Sequence, residues 1–217
     1  CALPILAKFR GKEYFYDPFC GSGTLCIEAA LTALNRAPGL GRSFAAQKWP
    51  LLPPELWQEA RTEALDHEFR GNYRILGADI DPESLSIARA NAKKAGVEQW
   101  IDFREADATK TPPPAQSGVL VTNPPYGERM LEQRQAQGLV RAFGRHVRYL
   151  DGWRMLIISS EPEFEFYFGR KADRKRKLYN GRLQCNVYQY AAGRRDEHTG
   201  RPGPRADRPG HGGTRKP

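Results

Sequence analysis

The sequence predicts one α/β domain built on a mostly parallel sheet, with helices in the connections between strands. Two observations predict this class. Short apolar runs of strand type alternate with longer segments whose apolar residues recur at helical spacing. Polar or acidic residues follow four of these runs, as expected where parallel strands end at one edge of a sheet. The 217 residues are enough for one such domain with a substantial core.

The first strand and helix enclose a glycine-rich turn. The aromatic strand at residues 14–16 is followed by Asp17 and by a turn at residues 18–23, and a helix comes next. Gly21 and Gly23 allow a backbone to approach a ligand closely, and the helix N-terminus offers free N–H groups. Asp17 can accept hydrogen bonds from a ligand amine or hydroxyl. A G-x-G pattern alone is weak evidence for a nucleotide site.

Residues 35–70 interrupt the pattern and are interpreted as an insertion beside the site. A helix is predicted from Pro53-Pro54 to about residue 69, since proline is favoured in the first helical turn. Trp49 and Trp57 could stack on bases, but packing in the core is the more ordinary role of a tryptophan.

Acidic residues follow the second and third predicted strands, at residues 73–78 and 101–104. Asp79 is placed where dinucleotide folds hold ribose hydroxyls. Asp81 precedes a proline and is predicted to cap the next helix, which extends to about residue 95. Asp107 is placed to accept a hydrogen bond from the exocyclic amine of a bound base, and a solvated loop acid is the equal alternative.

A diproline turn follows the fourth strand, residues 119–121. Its residues are Asn123, Pro124, Pro125 and Tyr126. Two prolines fix the backbone and remove two donors, so the turn is stiff and has free carbonyls. The Asn oxygen and a proline carbonyl can accept the two protons of an NH2 on a flat group, while the tyrosine stacks on its face. An ordinary diproline turn or a proline-rich docking segment is the alternative.

The second half of the chain continues the alternation. A helix is predicted at about residues 135–150, a fifth strand at 153–159 and a short aromatic helix or turn at 164–168. Residues 178–179 and 183–190, separated by an Asn-Gly pair, are predicted to form a closing hairpin.

The net charge of +9 resides in two basic segments. Residues 170–177 hold six basic residues and one acidic residue, and residues 193–217 hold seven basic and three acidic residues. The rest of the chain is balanced. This distribution indicates contact with a nucleic acid. A solvated loop and a disordered tail are the alternative, and disorder is expected from residue 193 onward because that segment is rich in glycine, proline and arginine.

The composition argues against several other classes of protein. The four cysteines form no C-x-x-C pair and the four histidines are scattered, so we expect no metal site and no disulfide framework. No apolar run is long enough to span a membrane. Reduced thiols fit a cytoplasmic protein. Because the sequence starts at a cysteine without an initiating methionine, we expect it to be a piece of a longer protein.

Four strand ends, each with a ligand-type residue, indicate one shared ligand site, and transfer of a methyl group from a sulfonium cofactor to an amine is a reaction that such a site could serve. No general base is evident, and this reaction does not strictly need one, because the sulfonium is already a strong electrophile. The protein must align the amine with the methyl carbon and exclude water. The diproline turn is suited to that alignment and to stabilising the positive charge that develops on the nitrogen.

Two sequence blocks resemble the THUMP-linked bacterial 23S rRNA guanine-N2 methyltransferases. The first is Asp17-Pro18-Phe19-Cys20-Gly21-Ser22-Gly23-Thr24, continued by residues 27–30 and 37–39, and the second is residues 123–129 with 176–181. The resemblance covers about residues 3–192. It implies a three-layer, Rossmann-like class I fold with a seven-stranded, mostly parallel sheet whose last strand is antiparallel. The family's upstream THUMP domain and a further helix have no counterpart in this sequence.

The resemblance also implies the cofactor, S-adenosylmethionine, and the residues that hold it. By position, residues 17–24 would hold the methionine part of the cofactor, Asp79 with Ile80 the ribose, and Asp107 with Ala108 the adenine. Residues 123–126 would hold the target amine, with Asn123 also contacting the cofactor. The implied domain is residues 1–192, and the implied partner is 23S rRNA, bound through the basic residues 170–177 and the tail.

Three other functions are weighed against this one. The same diproline turn serves adenine-N6 and glutamine-N5 methyltransferases, whose targets also present an NH2 on a planar group. A non-catalytic RNA-binding module would have the same basic segments. A nicotinamide-dependent enzyme is disfavoured, because Cys26 stands where the third glycine of G-x-G-x-x-G is expected.

Overall fold

Seven strands form the central sheet of the protein. The computed structural model describes residues 3–126, 130–180 and 183–193. In chain order the strands are β1 (Tyr14–Asp17), β2 (Ile75–Asp79), β3 (Ile101–Glu105), β4 (Gly118–Thr122), β5 (Trp153–Ser159), β6 (Arg174–Asn180) and β7 (Leu183–Tyr190). Their order across the sheet is β3-β2-β1-β4-β5-β7-β6. The predicted number of strands is confirmed.

Strands β1 to β5 are parallel to one another, whereas β7 is antiparallel to both β5 and β6. The expected antiparallel last strand is therefore confirmed. Because the parallel strands share one direction, their carboxyl ends meet at one edge of the sheet. Strand ends Asp17, Asp79 and Thr122 lie at that edge.

Helices cover both faces of the sheet, which confirms the three-layer architecture. They are α1 (Leu3–Leu6), α2 (Thr24–Leu34), α3 (Pro54–Asp66), α4 (Pro82–Lys94), α5 (Met130–Val147) and α6 (Phe164–Phe168). Successive strand residues point to opposite faces. Phe15 is accordingly buried with the small residues of α2 and α4. Its neighbour Tyr16 is buried with Phe143 of α5 and Phe164 of α6.

Local chemistry sets the start of α4 as the sequence predicts. The Asp81 carboxylate accepts hydrogen bonds from the backbone N–H groups of Glu83 and Ser84, both at 3.1 Å. Pro82 occupies the first helical position, where its missing N–H leaves no internal bond unmade. In contrast, α5 is longer than predicted at its start and ends at residue 147 rather than 150.

The insertion at residues 35–70 contains a short 3-10 helix (Ala45–Lys48) and α3. No residue of α3 is buried, and Leu56 and Leu65 on this helix are both about half exposed. Trp57 stacks on Phe44 with ring centroids 5.8 Å apart, while Trp49 is 59% exposed. The insertion therefore packs partly on itself and adds little to the core.

The closing hairpin begins earlier than its apolar residues indicate. Strand β6 starts at Arg174, so the predicted start at Leu178 is wrong. The backbone of β6 pairs with that of β7 from Arg174 onward, because this pairing does not depend on the charge of the side chains. Because β6 is the edge strand of the sheet, its charged side chains can extend into water. Basic residues 174–177 thus belong to a strand rather than to a loop.

Among the described residues, no helix is both long enough and apolar enough to cross a membrane. The basic tail predicted for residues 193–217 lies outside the described residues from position 194 onward, and so do residues 127–129 of the second resembling block.

Candidate functional site

A cavity of about 350 Å³ lies at the carboxyl edge of the parallel strands. It is lined by all four segments that the sequence singles out: Pro18, Phe19 and Gly21; Asp79 and Ile80; Asp107 and Ala108; and Asn123 and Pro125. Ala106 and Leu139 complete its wall. The four strand ends are therefore together around one space, as a shared binding site requires.

Asp79 ties the first two strand ends together. One carboxylate oxygen accepts the backbone N–H of Gly21 at 2.9 Å, and the other accepts the N–H of Asp81 at 3.0 Å. This side chain is only partly buried and lines the cavity. It is thus held in place while each of its oxygens keeps a further lone pair for a ligand hydroxyl.

The glycine turn has two different reasons for its glycines. Gly23 has a φ of 81°, and a Cβ there would lie 3.0 Å from Ala88 and from the Phe103 ring, so a side chain would separate the turn from α4 and β3. Gly21 has a φ of 49°, and a Cβ there would meet no atom within 4 Å. The space beside Gly21 is open, and its backbone is accessible from the cavity.

Asp17 lies behind the turn and does not line the cavity. It is 1% exposed, and its carboxylate accepts the hydroxyl of Thr122 at 2.6 Å and the N–H of Phe19 at 3.2 Å. The bond to Thr122 links the ends of β1 and β4, so Asp17 joins the glycine turn to the strand that carries the diproline turn. Burial raises the pKa of this carboxyl from 3.8 to about 7, although the hydrogen bonds oppose the shift.

Titration of Asp17 predicts that the protein loses stability between pH 5 and pH 7.5. The folded state holds this proton more tightly than the unfolded chain, so the stabilisation is complete below pH 4 and is lost as the pH rises to about 7. The loss over that interval is about 2 kcal/mol. Asp17→Asn, which still accepts the Thr122 hydroxyl, is expected to remove this loss in urea unfolding at the two pH values.

Asp107→Asn is the control for that prediction, because the pKa of Asp107 is lowered to about 2 and its titration lies below this range. Asp107→Asn should therefore not change the difference in the free energy of unfolding between pH 5 and pH 7.5. An equal pH dependence in wild-type protein and Asp17→Asn would show that Asp17 is already ionised in the folded state.

Asp107 has a structural role as well as a place in the cavity. One carboxylate oxygen accepts the backbone N–H of Thr109 at 2.8 Å and its hydroxyl at 2.6 Å, and the other pairs with Lys110 at 2.9 Å. These bonds hold the turn after β3 and lower the pKa of the carboxyl. The residue is thus an ionised acid at the cavity wall.

The two polar side chains of the diproline turn, Asn123 and Tyr126, contact each other. The Tyr126 hydroxyl donates a hydrogen bond to the side-chain oxygen of Asn123 at 2.9 Å. Pro124 is buried, whereas Asn123 and Pro125 are exposed and line the cavity. The bond orients the Asn123 amide and occupies only one of the two lone pairs of its oxygen.

Other residues of the first block shape the turn from outside the cavity lining. Cys20 is buried, and its N–H donates to Ala78 O at 2.9 Å. Burial, together with Asp17 and Asp79 nearby, raises the pKa of the Cys20 thiol above its usual range, so the sulfur stays protonated. Ser22 and Thr24 are exposed at the start of α2.

Sequence reasoning missed Leu139 and Ala106 as parts of the cavity wall. Leu139 falls within the helix predicted at about residues 135–150, where its apolar side chain gives no signal of a ligand site. Its helix, α5, also supports the wall indirectly, because Phe143 packs edge-on against Phe19 with centroids 5.1 Å apart. Periodicity could show that Leu139 faces inward, but not which part of the interior it faces.

Two larger cavities, of about 470 and 490 Å³, flank the edge strand β3. The first lies near Tyr14 and Arg74 at the amino ends of the strands, and the second lies between β3 and α4. Neither is lined by the glycine turn or by the diproline turn. The smaller cavity at the carboxyl edge is therefore the better candidate for the functional site. Within the described part of the chain, no three His, Cys, Asp or Glu side chains are grouped so as to hold a metal ion.

Comparison with known proteins identifies relatives over most of the chain. In Bacillus subtilis (strain 168), the protein named "Putative RNA methyltransferase YpsC" is 39% identical over 193 residues, which are 87% of this chain and 49% of the relative. In Shewanella baltica (strain OS185), the ribosomal RNA large subunit methyltransferase K/L is 41% identical over 180 residues, 79% of this chain and 25% of the relative. The chain thus spans about half or less of the length of these relatives.

A solved structure resembles this one closely. It is the crystal structure of "SMU.472, a putative methyltransferase complexed with SAH", with a TM-score of 0.85 and 38% sequence identity. The similarity covers 90% of this chain and 52% of that one. The family model of the RMKL-like methyltransferase domain, UPF0020, matches residues 1–189. The chain therefore belongs to the UPF0020 family of RMKL-like methyltransferase domains.

Proposed function

We propose that this domain transfers a methyl group from S-adenosylmethionine to an exocyclic amine of a nucleobase, namely N2 of guanine in 23S rRNA. One observation carries the proposal. Asn123 of the diproline turn lines the same cavity as the glycine turn and the acidic residues Asp79 and Asp107. The turn that would bind the amine therefore borders the same cavity as the residues that would bind a nucleoside.

The residues of the cavity fit an S-adenosyl cofactor. Asp79 offers fixed carboxylate oxygens for the ribose hydroxyls, and the open backbone at Gly21 offers room for the methionine part. Asp107 with Ala108 would face the adenine, and Ile80, 67% exposed, offers an apolar surface beside it. The crystal structure of SMU.472 with SAH supports this choice of cofactor. When bound, the cofactor supplies an electrophilic methyl group.

The diproline turn would position the nucleophile. A planar amine has two protons and a lone pair, and the lone pair must point at the methyl carbon. With Asn123 and a proline carbonyl as acceptors, both protons are held on the side away from the cofactor. These acceptors also stabilise the positive charge that develops on the nitrogen during transfer. The Tyr126 hydroxyl fixes the Asn123 amide in advance, so little reorganisation is needed.

The basic residues of β6 support RNA as the partner. Arg174, Lys175, Arg176 and Lys177 are all exposed on the edge strand of the sheet. Lys175 pairs with Glu165 at 2.5 Å, so its charge is already neutralised. For Arg174 and Arg176, the described residues provide no acidic partner. Because alternate strand residues share a face, these two guanidinium groups are on one side and available for phosphates.

Arg176→Gln is expected to weaken RNA binding more than Lys175→Gln does, although each removes one positive charge. Loss of one phosphate contact should reduce the slope of log affinity against log salt by about one. For Lys175→Gln the slope should change little, because Glu165 already neutralises the charge of Lys175. Filter binding or fluorescence anisotropy over a range of salt concentrations measures both slopes. Equal slopes for the two variants would mean that only the overall charge matters.

Methylation of 23S rRNA with labelled S-adenosylmethionine, followed by nucleoside analysis, tests the proposed function. Label in N2-methylguanine is the expected result. Label in N6-methyladenine, or in glutamine of a ribosomal protein preparation, would replace the proposed target by one that the same turn also suits. RNA binding without transfer to any acceptor would favour the non-catalytic module.

A further inference from the structure

A further cavity, the corner pocket, lies against the diproline turn. Its volume is about 230 Å³, and it shares Pro125 with the cofactor-type cavity. Tyr126, Gln137, Ser159 and Glu161 are among the residues that line it. A planar group bound there would lie against the same turn that positions an amine at Asn123.

Glu161 is the only carboxylate among the residues that line the corner pocket in the described part of the chain, and it is firmly held. One of its oxygens accepts the amide of Gln137 at 3.0 Å, and the other accepts the backbone N–H of Glu163 at 3.1 Å. Its own N–H donates to the hydroxyl of Ser159, which is 3% exposed at the end of β5. Two hydrogen bonds therefore orient the carboxylate, a third fixes the backbone of Glu161, and both carboxylate oxygens keep unused lone pairs.

Nucleobases differ in what they present beside their exocyclic amine. Guanine has an N1–H donor next to its N2 amine, whereas adenine has an N1 acceptor next to its N6 amine. A carboxylate accepts hydrogen bonds and cannot donate one when ionised, so it favours the N1–H of guanine and repels the N1 lone pair of adenine. The amide of Gln137, already bonded to Glu161, keeps a second proton that suits the O6 acceptor of guanine.

We propose that Glu161 is the residue that selects guanine over other amine-bearing bases, by accepting the N1–H of a base bound in the corner pocket. The inference rests on the proposed function, because Asn123 must receive the N2 amine of the same base. Glu161 follows the end of β5, and β5 pairs with β4, the strand that leads into the diproline turn, so the sheet fixes the two segments side by side.

The test compares guanine with 2-aminopurine, which has the same 2-amino group but an N1 acceptor instead of N1–H. RNA hairpins with either base at one unpaired loop position are titrated against the protein in the presence of S-adenosylhomocysteine, so that binding is measured without transfer. Wild-type protein is expected to prefer the guanine hairpin. In Glu161→Gln the new amide can donate a hydrogen bond to N1 of 2-aminopurine. The preference for guanine over 2-aminopurine should therefore fall by roughly ten- to a hundredfold.

Glu163→Gln is the matched control, since Glu163 is an adjacent exposed carboxylate that does not line the pocket. Its preference should equal that of wild-type protein. Hairpins with inosine provide a second measurement, because inosine keeps N1–H but lacks the amine. An inosine hairpin should therefore inhibit methylation by wild-type protein. It should inhibit methylation by Glu161→Gln at least tenfold less.

Separate outcomes identify which idea fails. If wild-type protein methylates guanine N2 but Glu161→Gln keeps the full preference over 2-aminopurine, the selecting role of Glu161 is overturned and the proposed function stands. If wild-type protein neither prefers the guanine hairpin nor methylates it, both are overturned. Unchanged affinity for S-adenosylhomocysteine in Glu161→Gln establishes that the variant is folded.

Discussion

Asn123→Ala is expected to lower the rate of methyl transfer about a hundredfold or more while leaving the affinity for S-adenosylmethionine close to that of wild-type protein. In the proposed mechanism, the side-chain oxygen of Asn123 is the fixed acceptor that turns the amine lone pair toward the methyl carbon. Removing one preorganised contact of this kind costs a factor of about 10² to 10³ in turnover. Asp79 and the open backbone at Gly21, which would hold the cofactor, are unaffected.

Single-turnover methylation and calorimetry with S-adenosylhomocysteine measure the two effects separately. Asn72→Ala is a suitable control, because Asn72 is an exposed asparagine that precedes β2 at the opposite edge of the sheet. Tyr126→Phe removes only the hydroxyl that orients Asn123. It should lower the rate by a smaller factor than Asn123→Ala. Full activity of Asn123→Ala would remove Asn123 from the mechanism.

The arrangement of the cavity was predictable because parallel strands place their ends together. Asp79 and Asn123 are 44 positions apart, yet each follows an apolar strand directly, and strand direction alone brings them to one edge. A local signal, an aspartate followed by a proline, likewise predicts the Asp81 cap of α4. In each case the decisive interaction is either within a few residues or imposed by the topology of the sheet.

What the sequence did not reveal depends on packing between distant elements. A carboxylate at a strand end is expected in solvent, but Asp17 is buried by Thr122, 105 positions later in the chain. Likewise, nothing near Glu161 in the sequence indicates that Gln137 of α5 will bond to it. The start of β6 was misplaced for a related reason, since its pairing with β7 overrides the low strand propensity of a basic run.

Helix α5, which carries Leu139 of the cavity wall, packs closely on α6, and Gly144→Ala is expected to disrupt this packing. Gly144 is buried in α5, where an added Cβ would overlap the carbonyl oxygen of Phe168 and lie 2.8 Å from its carbonyl carbon. Backbone atoms cannot rotate aside, so the helices must separate. We expect a loss of about 3 kcal/mol in the free energy of unfolding, even though alanine favours the helix.

Gly138 in the same helix provides a matched comparison. It is exposed, and an added Cβ there would meet no atom within 4 Å. Gly138→Ala should therefore stabilise the protein by up to about 1 kcal/mol, because alanine costs less backbone entropy in a helix. Urea unfolding of both variants gives the two changes, which should have opposite signs. Since α5 carries Leu139 and Phe143, Gly144→Ala should also weaken binding of S-adenosylhomocysteine. Stabilisation by both substitutions would mean that α5 and α6 are further apart than described, and the cavity wall would then have to be held by Phe19 and the strand ends alone.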